Sequence, residues 1–190
     1  MIQTTALPLP GLLLLQPRVY ADERGYFFEV NRSSELKQSL GDIDFVQESQ
    51  SGSFQHVLRG LHYQLDKPQA KLIRVLTGRI FDVVVDLRRQ SASFGQWFGL
   101  ELCSDKRQQL FIPAGFAHGF LTLSEYAEVA YKTDQYYDPA SERSIRWDDP
   151  QLAIQWPINR EPIVSAKDTK AQSFASADIY IKMGADQIKC

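Results

Sequence analysis

The sequence predicts an all-β fold, a sandwich or barrel of short strands. Two observations carry this. Short apolar or alternating segments recur along the chain, separated by turn residues such as Gly, Pro, Asp and Ser. The clearest of them sets Phe81, Val83, Val85 and Leu87 against Asp82, Val84, Asp86 and Arg88, the period of two expected of a strand. Many short strands with turn signals between them favour a closed or two-layered β architecture.

The elements follow in order. Leu12 to Leu15, flanked by Pro10 and Pro17, reads as the first strand. Ser33 to Leu40 reads as a short helix with Ser33 as its N-cap. "FVQES" opens a strand at Phe45, and "VLRGLHYQ", Val57 to Gln64, is the next. "KLIRVLTGRIFDVVVDLR" reads as two strands around a hairpin-type turn at Thr77-Gly78. "FGQWFGLELC" is a strand, "QQLFIPAGFAHGFLTL" is two strands broken at Pro113 and Gly115, and "EVAYKTDQYY" is another. The stretch from about 150 to 190 is less regular and holds Pro150, Pro157 and Pro162. It reads as loops and short helices packed on the barrel, one of them near the C-terminus, so the whole chain is expected to form one domain.

Bulk properties exclude several function classes. A chain of 190 residues can bury a substantial core. A formal net charge of −2 provides no global field for nucleic acid, so an anionic ligand needs a local cluster of Arg and Lys. The cysteines, Cys103 and Cys190, make no disulfide framework and point to a reducing cytoplasm. The Leu12 to Leu15 run is far too short to span a membrane, and no basic segment precedes it.

His56, His62 and His118 are the three histidines. Metal-binding β-barrels of the cupin type take two ligands from a His-x-His strand, with a later Glu, and a third from Pro-x-Gly-x-x-His. "IPAGFAHGF" has the second pattern, with Pro113, Gly115 and His118 in place. "LHYQ" breaks the first, because Gln64 stands where a second His belongs. A neutral amide is a poor ligand for zinc or iron. The sequence therefore looks like a cupin-type jelly-roll barrel, a double-stranded β-helix with a few short peripheral helices, without a metal. Taken alone, His62 reads equally well as a hydrogen-bonded histidine inside such a barrel.

An ordered set of motifs then resembles one family. "DERGYFFE" (Asp22 to Glu29), "VLRGLHYQ", "QAKLIRVLTGRIFDVVVDLR", "IPAGFAHGF", "VAYKTDQYYDP", "IRWDDP", "IQWP" and "SAKD" are similar to segments of the dTDP-4-dehydrorhamnose 3,5-epimerases, metal-free cupins. The resemblance covers roughly residues 1 to 175. It implies a dTDP-linked 4-keto-6-deoxy sugar as substrate and no cofactor. The hydrogens at C3 and C5 are α to the C4 ketone. Inverting either centre needs a base on one face, a proton donor on the other and charge stabilisation at the enolate oxygen.

Carried over residue by residue, the resemblance makes His62 the base, since imidazole exchanges protons near working pH. Asp168 would fix its tautomer, Lys71 would hold the enolate charge and Tyr131 would donate. Read without the family, Asp168 is a turn residue, Lys71 an exposed strand end and Tyr131 a core tyrosine, with Tyr136 and Tyr137 as neighbours of equal chemistry. His118 would lie beside the sugar. Arg24, Arg59 and Lys167 would contact the diphosphate and nucleotide. Tyr137 would stack on thymine, and Glu29, Gln47 and Glu142 would serve as polar binding positions. Arg24, Phe27 and Glu29 would reach into the site of a partner subunit, which implies a homodimer. The family reads Gln-x-Asn where this chain has Gln47 and Ser49, a departure that bears on sugar orientation and on the second epimerisation.

Two further readings of other kinds stand beside this one: a metal-dependent cupin and a non-catalytic sugar-nucleotide binding module. Epimerisation at C3 or C5 alone would use the same residues. Strand parity adds a geometric condition. Arg59 and His62 are three residues apart, so a regular strand points them to opposite faces. Both serve one site only if Gly60 permits a bulge, or if Arg59 serves a neighbouring part of the cleft.

Overall fold

The computed structural model describes residues 2–180. Two antiparallel sheets face each other. The six-stranded sheet runs β1 (Gln3–Ala6), β2 (Leu13–Gln16), β10 (Gln109–Ile112), β7 (Lys71–Thr77), β12 (Tyr126–Thr133), β5 (Gln47–Phe54). The five-stranded sheet runs β13 (Glu142–Ser144), β6 (Leu58–Gln64), β11 (Phe116–Thr122), β8 (Arg79–Asp86), β9 (Trp97–Cys103). A separate hairpin pairs β3 (Val19–Asp22) with β4 (Gly25–Phe28). This is the jelly-roll architecture the motifs imply.

Three apolar clusters hold the layers together. Leu12, Ile73, Val75, Ile80, Val84, Leu110, Phe120 and Val129 fill the space between the sheets. Val83 and Val85, on the opposite face of β8, and Leu87 just beyond it pack under Ile145, which follows β13, and under Leu152, Phe174 and Tyr180 of the irregular C-terminal segment. The helix α1 (Ser33–Leu40) lays Leu36 and Leu40 on Leu15, Leu72 and Phe111 of the six-stranded sheet. Burying each of those two leucines stabilises by about 2 kcal/mol.

Several boundaries differ from the sequence reading. The Leu12 to Leu15 segment forms β2, and an exposed four-residue strand, β1, precedes it. The strand expected from Phe45 begins at Gln47, and that of "EVAYKTDQYY" ends at Thr133. Ser33 is the first helical residue rather than the N-cap. The cap is Arg32, which makes no capping bond, since a guanidinium carries only donors and cannot accept from the first helical amides; it donates to Glu29 at 2.6 Å instead. Two 3₁₀ turns, Asp168–Lys170 and Phe174–Ser176, are the helical elements of the C-terminal segment up to residue 180. A helix closer to the C-terminus would lie outside the described residues.

Thr77-Gly78 is not a hairpin. β7 pairs with β10 and β12, whereas β8 pairs with β11 and β9. The chain crosses from one sheet to the other at Gly78, whose φ of +76° suits glycine. The Pro113-Gly115 turn does the same between β10 and β11. The turn chemistry was legible, but a tight turn joins sheets as readily as strands.

Candidate active site

A cleft of about 240 Å³ opens between the sheets. β6 and β11 contribute Arg59, His62 and His118 from one wall, while β7 and β12 contribute Lys71 and Tyr131 from the other. Tyr137 and Glu142 also line it.

The parity problem is resolved by a bulge in β6. His118 is in register with His62, but Phe120 is in register with Arg59. Three steps along β6 therefore match two along β11, and the extra residue returns Arg59 and His62 to one face. Gly60 carries φ +127°, and a Cβ there would meet Gly119 Cα at 2.5 Å and the His118 carbonyl oxygen at 2.8 Å. Only glycine lets the two strands approach this closely.

His62 Nε2 lies 2.6 Å from Asp168 Oδ1. Asp168 is 3% exposed and is the first residue of a 3₁₀ turn. Burial pushes its carboxyl upward, but the hydrogen bond and charge of His62, with bonds from Ser165 and the Gly60 amide, outweigh this and hold it below the usual carboxylate range. Asp168 thus stays ionised beside the imidazole, orienting the ring and able to stabilise its protonated form.

Across the cleft, burial pulls the Lys71 ammonium down to about 8, with Asp82 and Glu142 pulling the other way. Asp82 belongs to β8 and is fully buried. Its Oδ2 lies 2.9 Å from His118 Nε2, and its Oδ1 has no hydrogen-bond partner among the described residues. A carboxylate left half-satisfied in the interior is costly, so its place beneath His118 and near Lys71 marks it as part of the site. Tyr131 packs against the inter-sheet core and lies opposite Ser49 in the β12–β5 register.

At the mouth, Tyr137 Oη donates to Glu142 Oε2 at 2.6 Å, and Lys167 pairs with the same carboxylate. This bond to Glu142, reinforced by burial, raises the Tyr137 phenol to about 12. Burial raises Glu142, but Lys167 and Tyr137 outweigh it and lower its carboxyl overall. Gln47 accepts from the Tyr137 amide at 2.9 Å and donates to Ser49 Oγ at 3.3 Å. Arg59 donates to Ser53 Oγ at 2.9 Å and to the Gly52 carbonyl at 3.1 Å.

Arg24, Phe27 and Glu29 do not line this cleft. Arg24 is paired with Asp22 on the exposed β3–β4 hairpin, Phe27 is 71% exposed, and Glu29 is bonded to Arg32. Sequence reasoning missed Asp82 and also Ser51, whose buried Oγ faces the cleft without a partner among the described residues. An acid inside the apolar run "FDVVVDL" was the available signal for Asp82.

A metal does not fit these residues. His62 and His118 each hold a carboxylate through Nε2, and the amide oxygen of Gln64 accepts from the Asp138 amide at 2.8 Å. Among the described residues no group of three or more His, Cys, Asp or Glu could hold a metal ion. No helix among them is long and apolar enough to cross a membrane.

Residues 6–176 match the model of the family described as dTDP-4-dehydrorhamnose 3,5-epimerase. The chain belongs to this family. A dTDP-4-dehydrorhamnose 3,5-epimerase of Pseudomonas aeruginosa is 47% identical over 180 residues, covering 94% of this chain and 99% of that one. The crystal structure of a 3,5-epimerase of Legionella pneumophila in complex with dTDP-4-keto-L-rhamnose superposes with a TM-score of 0.90, at 41% identity, covering 99% and 97% of the two chains. A 3'-monoepimerase of Streptomyces bikiniensis, in complex with dTDP-quinovose, is more distant at 33% identity, with a TM-score of 0.84 and coverage of 89% and 86%. Membership of the 3,5-epimerase family thus accounts for the sheet arrangement.

Proposed function

We propose that the chain is a cofactor-independent epimerase that converts dTDP-4-dehydro-6-deoxy-D-glucose to dTDP-4-dehydro-L-rhamnose. The observation that carries this reading is that His62 and Tyr131 face one cleft from opposite sheets. Inversion at carbon needs a base on one face and an acid on the other, and side chains on a single wall would only return the proton to its original side.

In this mechanism the ring nitrogen of His62 not held by Asp168 takes the proton from C3 or C5. The C–H electron pair moves into the ring and the C4 carbonyl becomes an enolate. The Lys71 ammonium stabilises the oxygen, which is where charge develops. Tyr131 delivers a proton to the opposite face, a new C–H bond forms and the ketone returns. His62 and Tyr131 then exchange protons with solvent before the second centre reacts. Arg59 and Lys167 serve the diphosphate, Tyr137 stacks on thymine, His118 lies beside the sugar, and Gln47, Ser49 and Glu142 complete the polar lining.

The exposed hairpin carrying Arg24, Phe27 and Glu29 supports a homodimer in which each hairpin enters the partner's site. Cys103 has no disulfide partner among the described residues.

Turnover in heavy water, followed by NMR, tests the reading. Deuterium is expected at both C3 and C5 of an L-configured product. Label at one carbon only would replace the double epimerisation with a single one. His62→Ala is expected to lower turnover by about 10²–10⁴-fold with dTDP binding kept, the usual contribution of a general base. Unchanged turnover would remove His62 from the mechanism.

A further inference from the structure

Gln64 occupies the position at which a metal-binding cupin would place a histidine, and the proposed mechanism leaves it unused. It is 2% exposed and ends β6. Its amide nitrogen donates to the Lys67 carbonyl at 2.9 Å and to the Tyr136 carbonyl at 3.3 Å. Its amide oxygen accepts from the Asp138 amide at 2.8 Å. A buried side chain with this many bonds to main chain is specified by the loop it holds.

Those bonds bracket one residue. Gln64 holds the carbonyl of 136 and the amide of 138, and Gln47 of the opposite sheet holds the amide of Tyr137 between them at 2.9 Å. Two glutamines, one from each sheet, therefore grip three successive residues of the loop that carries Tyr137. The Tyr137 side chain is then fixed at its far end by Glu142. The ring is half exposed, so side-chain packing alone does not orient it.

From this geometry we infer that Gln64 is a positioning residue for nucleotide recognition: it presets the Tyr137 ring as a platform for a planar base. The inference rests on the reading of Tyr137 as the base-stacking residue. It also gives a physical reason for the broken metal pattern. A neutral imidazole offers one donor and one acceptor, whereas the loop asks for two donations and one acceptance, which a primary amide provides. At this position the chain cannot both ligate a metal and hold the loop. Preset binding surfaces bind more tightly because less ordering remains to be done on association.

Gln64→Met keeps the shape, adds no charge and removes all three bonds. Titration calorimetry with dTDP alone, and steady-state kinetics with the sugar nucleotide, are the readouts. Expected are a weakening of dTDP binding and a rise in KM of about tenfold each, on the scale of one or two lost hydrogen bonds, with kcat within about threefold of the parent. A purely structural role would lower kcat along with binding. Tyr137→Ala separates the two layers of the argument. If Tyr137→Ala binds dTDP like the parent, the platform reading fails and this inference falls with it. If Tyr137→Ala weakens binding but Gln64→Met does not, only the inference about Gln64 is overturned. In the double variant the Gln64 effect is expected to vanish, and a second full loss there would place its action elsewhere. Should Gln64→Met not fold, Gln64→Glu, which keeps the acceptor for the Asp138 amide, is measured in the same way.

Discussion

Lys71 ties the chemistry of the cleft to its stability through pH. Burial holds its ammonium at about 8 against an ordinary 10.5, a difference of on the order of 3 kcal/mol between charged and neutral forms. Lys71 is only partly buried on an open cleft wall, so solvent reduces the share felt by folding to about 2 kcal/mol. Below pH 8 the lysine is charged in both the folded and unfolded chain, and folding bears the full cost. Between about 8 and 10.5 the unfolded chain binds more protons, so stability rises with pH across that window. Lys71→Met removes the cost. Urea unfolding at pH 7 is expected to find the variant more stable by about 2 kcal/mol, with the gap closing as pH rises through 8 to 10.5. Activity runs the other way. If Lys71 stabilises the enolate as proposed, only its ammonium can do so, and kcat/KM of the parent should fall about tenfold per pH unit above an alkaline break near 8. Lys71→Met should lose about 10²–10³ in rate, as when one oxyanion donor is removed, and lose the alkaline break. A break that persists in Lys71→Met, or a variant no more stable at pH 7, would refute the assignment of Lys71 as a partly buried, enolate-facing cation.

Two further outcomes follow from the bulge and from the hairpin. Gly60→Ala forces a Cβ against Gly119 and the His118 carbonyl at a φ of +127°, which should cost about 3 kcal/mol. By calorimetry this lowers Tm by about 10 °C, and a melting point within a degree or two of the parent would mean the strands can part freely. If hairpins complete the sites of partner subunits, His62→Ala and Arg24→Ala should each be impaired alone. Mixed under conditions of subunit exchange, they should recover about a quarter of parental activity, since half the dimers then hold one intact site of two. No recovery on mixing, with exchange verified, would sink the shared site.

Much of the candidate site's layout was legible because its residues sit in short, ordered motifs. His62, Lys71, Tyr131 and the Asp168 carboxylate all fall where those motifs put them, around or behind one cleft. The parity of Tyr131 with Val129 correctly placed the phenol toward the interior. What stayed hidden depended on which sheet a strand joins. The alternation in β8 groups Asp82 with Val84, but it cannot say which face is inside when both faces are covered. Both are, and Asp82 lies in the interior while Val83 and Val85 pack under the C-terminal segment. The turn at Thr77-Gly78 was recognisable, yet its destination was set by pairings with strands far away in sequence. Gln64 was read as the loss of a ligand because its partners, at residues 67, 136 and 138, are fixed only once the loop is folded.

The alternation of strands between sheets has a consequence for how the molecule comes into being. β5 and β6, β7 and β8, β10 and β11, and β12 and β13 are neighbours in the chain but lie in opposite layers. Neither layer can be assembled from one continuous stretch of polypeptide. His62 and Lys71, only nine positions apart, face each other across the gap between strands that each pair with partners from the second half of the chain, and Asp168 lies further along the chain still. Such non-local wiring places folding in the millisecond-to-second regime. It also means that no shorter fragment carries a partial version of the chemistry: the layers and the reaction centre become complete together.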